Sequence, residues 1–183
     1  MYLGIDIGKT GAIGVLGKDG QYITVLDLPS TSFLIGKGEK SKPSYRLNTA
    51  IIRQHFQGVP ITACTMESVW GRDSNGCHAN FSIGRYLGAM EVCLDALCWA
   101  GHEPCVQYVP PATWKKSLGL LKQGKGASLE KARALFPEAT DRLKRKKDHN
   151  RAEALLIARY GWEMRRKNDH GDYVDALPQT PAL

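Results

Sequence analysis

Tyr2-Leu3-Gly4-Ile5-Asp6-Ile7-Gly8-Lys9-Thr10-Gly11-Ala12-Ile13-Gly14-Val15-Leu16 is the stretch around which the rest of the chain is read. Apolar residues run up to a carboxylate at Asp6, a Gly8-Lys9-Thr10-Gly11 turn follows, and a second apolar run goes back. This predicts a hairpin with one acid near the end of its first strand. A carboxylate buried in a sheet is costly unless it meets a cation or hydrogen-bond donors. Asp6 is therefore expected to face a site, the plainer alternative being that it caps the turn.

Outward from this hairpin, Asp19-Gly20 precedes Tyr22-Ile23-Thr24-Val25-Leu26 and predicts a tight two-residue turn, so the first 28 residues read as a three-stranded antiparallel meander. Pro29 to Tyr45 has no period and is rich in Ser, Gly and Lys; it is expected to be a mobile loop, made basic by Lys37, Lys40, Lys42 and Arg46. Leu47 to Phe56 has helical spacing, and Ile61 to Glu67 reads as a strand that again ends on a carboxylate. Ser68 to Asn80 is expected to be a loop carrying Trp70, a side chain that either packs in the core or stacks on a ligand.

Phe81 to Ala100 reads as a helix with an apolar stripe through Ile83, Leu87, Met90, Leu94 and Leu97. Gly84 and Gly88 within it cost stability, which close packing on the sheet or on a second subunit would offset. Cys105 to Val109 is a further strand. Short helices are expected over Ala112 to Leu118 and Ser128 to Phe136, with a loop over Gly119 to Gly126 between them. Arg142 to Lys147 is a basic run, a last helix extends from Asp148 to about Lys167, and residues 168–183 read as a loose tail.

Length and composition bound the class. The 183 residues, 43% hydrophobic and 23% charged, suit one globular domain over residues 1–167 plus the tail. No apolar run approaches the roughly 20 residues of a membrane span, and the N-terminus lacks a signal-peptide pattern. A cytoplasmic protein is expected. Five cysteines without a Cys-x-x-Cys pair suit reduced thiols better than disulfides or zinc. Net charge is +7, and Trp114 to Lys147 holds eleven Lys or Arg against three acids. Such a segment suits a polyanion, most simply nucleic acid, or else a solvated helix face.

Acids thus fall at the end of the first strand, at the end of the fourth, and at the start of the last helix. They can meet only if strands one and four are neighbours and the last helix lies across them. Clustered carboxylates are hard oxygen ligands for Mg²⁺. Two such ions about 4 Å apart can activate a water and stabilise the leaving oxygen of a phosphodiester.

Three segments, Gly4-Ile5-Asp6-Ile7-Gly8, Met66-Glu67-Ser68-Val69-Trp70 and Arg151-Ala152-Glu153-Ala154-Leu155-Leu156-Ile157-Ala158, carry a resemblance to RuvC-type Holliday-junction resolvases, above all their phage branch. These belong to the ribonuclease H-like nuclease superfamily. The resemblance implies an α/β fold with a mixed five-stranded sheet, its first three strands antiparallel, flanked by helices. It implies a homodimer, joined through the Phe81–Ala100 helix, that resolves four-way or related branched DNA with about two Mg²⁺ per site, Mn²⁺ able to substitute. Asp6, Glu67 and Glu153 match family metal positions. Asp148 and His149 compete for the fourth, ahead of Asn150, which occupies a position where relatives often carry Asp. Trp70 matches an aromatic wedge, and Lys115, with Lys116 and Lys125 near it, matches phosphate-contacting lysines. The chain departs from many cellular members in having Ile7 for Pro and a longer basic stretch from Pro29 to Tyr45.

Two rival readings follow from the same residues. The opening stretch also resembles the first phosphate motif of sugar kinases and actin-like ATP-binding proteins, but no second Gly-rich nucleotide motif accompanies it. A non-catalytic branched-DNA-binding protein on the same fold is the other, against which three acids in register stand.

Overall fold

The computed structural model describes residues 1–36, 38, 41–71, 76–98 and 106–169, with the side chains of 98, 125 and 169 left aside. Strands β1 (Tyr2–Asp6), β2 (Ala12–Leu16), β3 (Tyr22–Asp27), β6 (Ala63–Glu67) and β7 (Val106–Val109) form one sheet in the order β3-β2-β1-β6-β7. The β1, β2 and β3 strands are antiparallel, whereas β6 runs parallel to β1 and to β7. Pairing of Ile5 with Met66 brings the ends of β1 and β6 side by side, and so places Asp6 next to Glu67. The mixed sheet and its flanking helices are those expected.

Strand alternation assigns the two faces. Leu3, Ile5, Cys64 and Met66 point into one core with α1 (Thr49–Phe56) and α2 (Cys77–Cys98). The opposite face holds Tyr2, Ala12 and Leu16 under α5 (His149–Asp169), together with α3 (Pro111–Ser117) and α4 (Lys125–Leu135). Asp6 and Glu67 are even-step neighbours of Gly4 and Thr65, and both of those residues meet α5.

How α5 lies so close is a matter of small residues. A Cβ on Gly4 would overlap the backbone of Ala154 and Ala158, and one on Gly14 would come within 2.7 Å of Ala154 and Leu155 backbone atoms. Gly161 in turn admits the Thr65 hydroxyl from the sheet. The helix seats directly on β1 and β2, and Glu153 rides next to this contact. At the other end of the sheet Gly20, at φ +75, lies under the Trp162 ring, whose Nε1–H donates to the Lys18 carbonyl at 2.9 Å. The connection there spans Gly17 to Gln21, longer than the two-residue turn expected, because Gly17 N–H bonds the Gln21 carbonyl.

Several expected boundaries shift. The Pro29–Tyr45 stretch is not a loop: β4 (Ser30–Ile35) and β5 (Lys42–Leu47) form a separate antiparallel two-stranded sheet. Asn48 closes its base, donating from its backbone to the Pro29 carbonyl at 2.8 Å and from its side chain to Thr31 Oγ1 at 3.1 Å. Ser30 Oγ, 2.7 Å from Tyr86 Oη, ties it to α2. That helix begins at Cys77, inside the expected loop, and its buried stripe is Tyr86, Met90, Cys93 and Leu94. Residues 99–105 lie outside the described residues. The last helix continues through Asp169, and the tail from 170 onward also lies outside them. Cys64 and Cys93 are buried and Cys77 is exposed; burial pushes the Cys64 thiol up to about 12, as suits an inert packing residue. No described helix is long and apolar enough to cross a membrane.

Candidate metal centre and nucleic-acid interface

Asp6, Glu67 and Glu153 converge. One carboxylate oxygen from each lies within 4.8 Å of the other two, and all three residues are partly exposed. The first two stand at the carboxyl ends of adjacent parallel strands, and the third reaches them from the first turns of α5. Three carboxylates this close repel one another by roughly 3 kcal/mol per pair at an effective dielectric constant of about 20. The arrangement calls for cations. Lys115 supplies one, its Nζ 3.2 Å from Glu153 Oε1. The donors are all hard oxygens in a half-buried pocket, which fits Mg²⁺ or Mn²⁺ better than a soft metal.

The cluster is braced from behind. Ser128 in α4, only 4% exposed, donates its hydroxyl to Glu153 Oε1 at 3.1 Å. Asn150 donates from its amide to the Thr10 carbonyl at 2.6 Å and to Thr10 Oγ1 at 2.9 Å, pinning the turn after Asp6 to the start of α5. Lys115 is itself steadied over the ring of the fully buried Trp114, 5.0 Å from its centroid. Sequence reasoning missed Ser128, because a serine near a helix start signals capping and nothing more. It had Asn150 only as a weak metal candidate, whereas its amide is a brace.

Asp148 is not brought into the cluster. Its carboxylate is buried at 4% exposure and accepts from the Arg145 backbone at 2.8 Å and the Arg145 guanidinium at 2.8 Å, with Arg151 at 3.6 Å. Burial pushes this carboxyl up, but the Arg145 hydrogen bonds and the two guanidinium charges outweigh it and hold Asp148 below the usual range. It anchors the entry to α5. His149 is likewise outside the triad, its Nδ1 3.4 Å from the Lys146 carbonyl. Arg151 joins α5 to β3 through Asp27 at 2.5 Å and 2.6 Å.

Trp70 is 77% exposed just beyond β6, so it is not the core residue that its size permitted. Lys116 is exposed on α3, and Lys125 opens α4. Lys144, Arg145, Lys146 and Lys147 form an exposed run that leads directly into Asp148 and α5. The basic segment therefore meets the acid cluster at Glu153, which α3 reaches through Lys115 and α4 through Ser128.

These features define a ribonuclease H-like fold with three carboxylates gathered at the ends of its central parallel strands. Two RuvC structures from Thermus thermophilus share that fold. RuvC in complex with Holliday junction substrate matches with a TM-score of 0.52 at 15% identity, covering 90% of this chain and 94% of that one. Thermus thermophilus RuvC alone matches with a TM-score of 0.51 at 18% identity, over 90% and 95%. In sequence, the chain is 54% identical over 79 residues to the chloroplastic Holliday junction resolvase MOC1 of Chlamydomonas reinhardtii. That match covers 43% of this chain and 8% of the relative's length. No family model matches the chain.

Proposed function

We propose that the chain is a structure-selective endodeoxyribonuclease that resolves four-way DNA junctions by metal-dependent phosphodiester hydrolysis. The observation that carries this is the convergence of Asp6, Glu67 and Glu153 from three distant segments into one group. The RuvC-like fold and the stretch shared with a Holliday junction resolvase point to the same chemistry.

Asp6, Glu67 and Glu153 are the residues that would hold Mg²⁺, two ions per site, with Mn²⁺ able to replace it. When bound, such ions activate the attacking water and neutralise the oxygen that leaves. Hydrolysis breaks the P–O3′ bond, leaving a 5′-phosphate and a 3′-hydroxyl. The chain's own contributions are positional. Ser128 fixes one oxygen of Glu153, and Asn150 holds the Asp6 turn against α5. Lys115, half-exposed beside Glu153, and Lys116 receive the phosphate backbone, Lys125 at the head of α4 is a further candidate for it, and Trp70 stacks on an unpaired base at the branch. His149 lies one turn before Glu153 on the same face, and its long contact to Lys146 exchanges readily for a metal, so it is the better fourth ligand than Asp148.

A homodimer through α2 completes the scheme. Among the described residues, Gly84 and Gly88 have nothing within 4 Å of where a Cβ would sit, so the close approach they permit is not used there. Phe81 and Val92, 65% and 70% exposed, stand on the same helix. A two-fold enzyme on a two-fold junction makes paired cuts. Incubation of the protein with labelled four-way, three-way and linear DNA in Mg²⁺ tests the reading. Paired incisions in the four-way substrate, lost in Asp6→Asn while junction binding persists, are expected. Equal cutting of linear duplex, or an active Asp6→Asn protein, contradicts it.

A further inference from the structure

Resting on that reading, we propose that the β4–β5 hairpin is a second DNA-contacting element, one that grips the backbone of a duplex arm as it leaves the metal centre. Neither strand contains an acid, while Lys42 and Arg46 are exposed on β5. Two further cations are stacked on the hairpin from neighbouring elements. Lys9, from the turn that follows Asp6, sits 3.4 Å from the centroid of the Tyr45 ring. Arg85 of α2 lies 5.1 Å from the Phe33 centroid. Strand alternation puts Arg85, through Phe33, on the same face as Lys42 and Arg46, whereas Lys9 on Tyr45 lies on the other face and ties the hairpin to the turn after Asp6.

The hairpin is also held in place. Ser30 with Tyr86, and Asn48 with Pro29 and Thr31, fix its base to α2 and α1. An isolated two-stranded hairpin is marginal in water. This one is anchored, yet it buries little along its length, with Leu34 and Ile35 left 70% and 51% exposed near its tip. A projection whose strands carry Lys42 and Arg46 and no acid, beside a nuclease site, is complementary to phosphates rather than to a protein of mixed charge. Lysine and arginine on such a surface bind backbone without reading bases. Each phosphate neutralised contributes about 0.9 to the slope of log affinity against log salt.

The test is the salt dependence of binding to a fluorophore-labelled four-way junction in EDTA, read by anisotropy. Lys42→Gln/Arg46→Gln is compared with the unsubstituted chain and with Lys18→Gln. Lys18 is exposed in the β2–β3 connection, at the opposite end of the sheet from Asp6. The hairpin variant is expected to lower the slope by about two, Lys18→Gln to leave it unchanged, and changes in arm sequence to have no effect. An unchanged slope in the hairpin variant, or an equal loss per charge in Lys18→Gln, overturns the hairpin's role and leaves the nuclease reading standing. No binding of any DNA by the unsubstituted chain overturns both.

Discussion

Glu153 shows how much one residue's neighbours decide. Its Oε1 accepts from Ser128 and faces Lys115, so the carboxylate is oriented before any metal arrives. Hydrogen bonds behind a ligand typically contribute 10–100-fold to metal affinity. Ser128→Ala is accordingly expected to weaken Mn²⁺ binding by about 10-fold or more, measured by titration without DNA, with little change in thermal stability. Unchanged affinity would make the serine a packing residue. Asp27 gives a prediction of another kind. The Arg151 hydrogen bond, opposed by partial burial and helped by the Arg151 and Arg142 charges, holds its carboxyl below the ordinary value despite nearby Asp148. A lowered folded value contributes stability that is present above the unfolded pKa of about 4 and is lost as pH falls through the folded value. Asp27→Asn should therefore be less stable than the natural chain at neutral pH, with the gap closing in acid, as followed by urea unfolding at several pH values.

At the scale of elements, α5 carries the argument. It rests on Gly4 and Gly14, with Gly161 opposite Thr65, and this close seat sets the reach of Glu153 to Asp6. Gly4→Ala would force a methyl into the α5 backbone and is expected to cost about 1–3 kcal/mol in unfolding experiments. It should also lower metal affinity by displacing Glu153. The strands ending on Asp6 and Glu67 and the helix starting before Glu153 were legible, because apolar runs that stop at a charge show directly in sequence. Which glycines pack closely was not. Gly84 and Gly88 stood out by helical spacing but meet nothing among the described residues, while Gly4, Gly14 and Gly161 matter through contacts between segments remote in sequence. The hairpin escaped notice for a related reason. Its strands bury no continuous face, so serines and lysines blur the two-residue period that reveals a strand.

The whole molecule carries a net charge of +7 and gathers three of its acids into one cluster, with Lys115 against it. The family resemblance read from three short segments carried the fold correctly, since topology follows from the order of those segments. It overreached at Asp148, where the sequence shows an acid at plausible spacing and hides the two arginines that hold it. The central claim is that Asp6, Glu67 and Glu153 act together as a divalent-cation site. Mn²⁺ titration followed by electron paramagnetic resonance tests it most directly, on the natural chain and on Asp6→Asn, Glu67→Gln and Glu153→Gln. About two ions per chain in the natural protein, with at least a roughly 10-fold loss of affinity in every variant, is the result expected. Binding of equal strength in all four proteins would contradict the account.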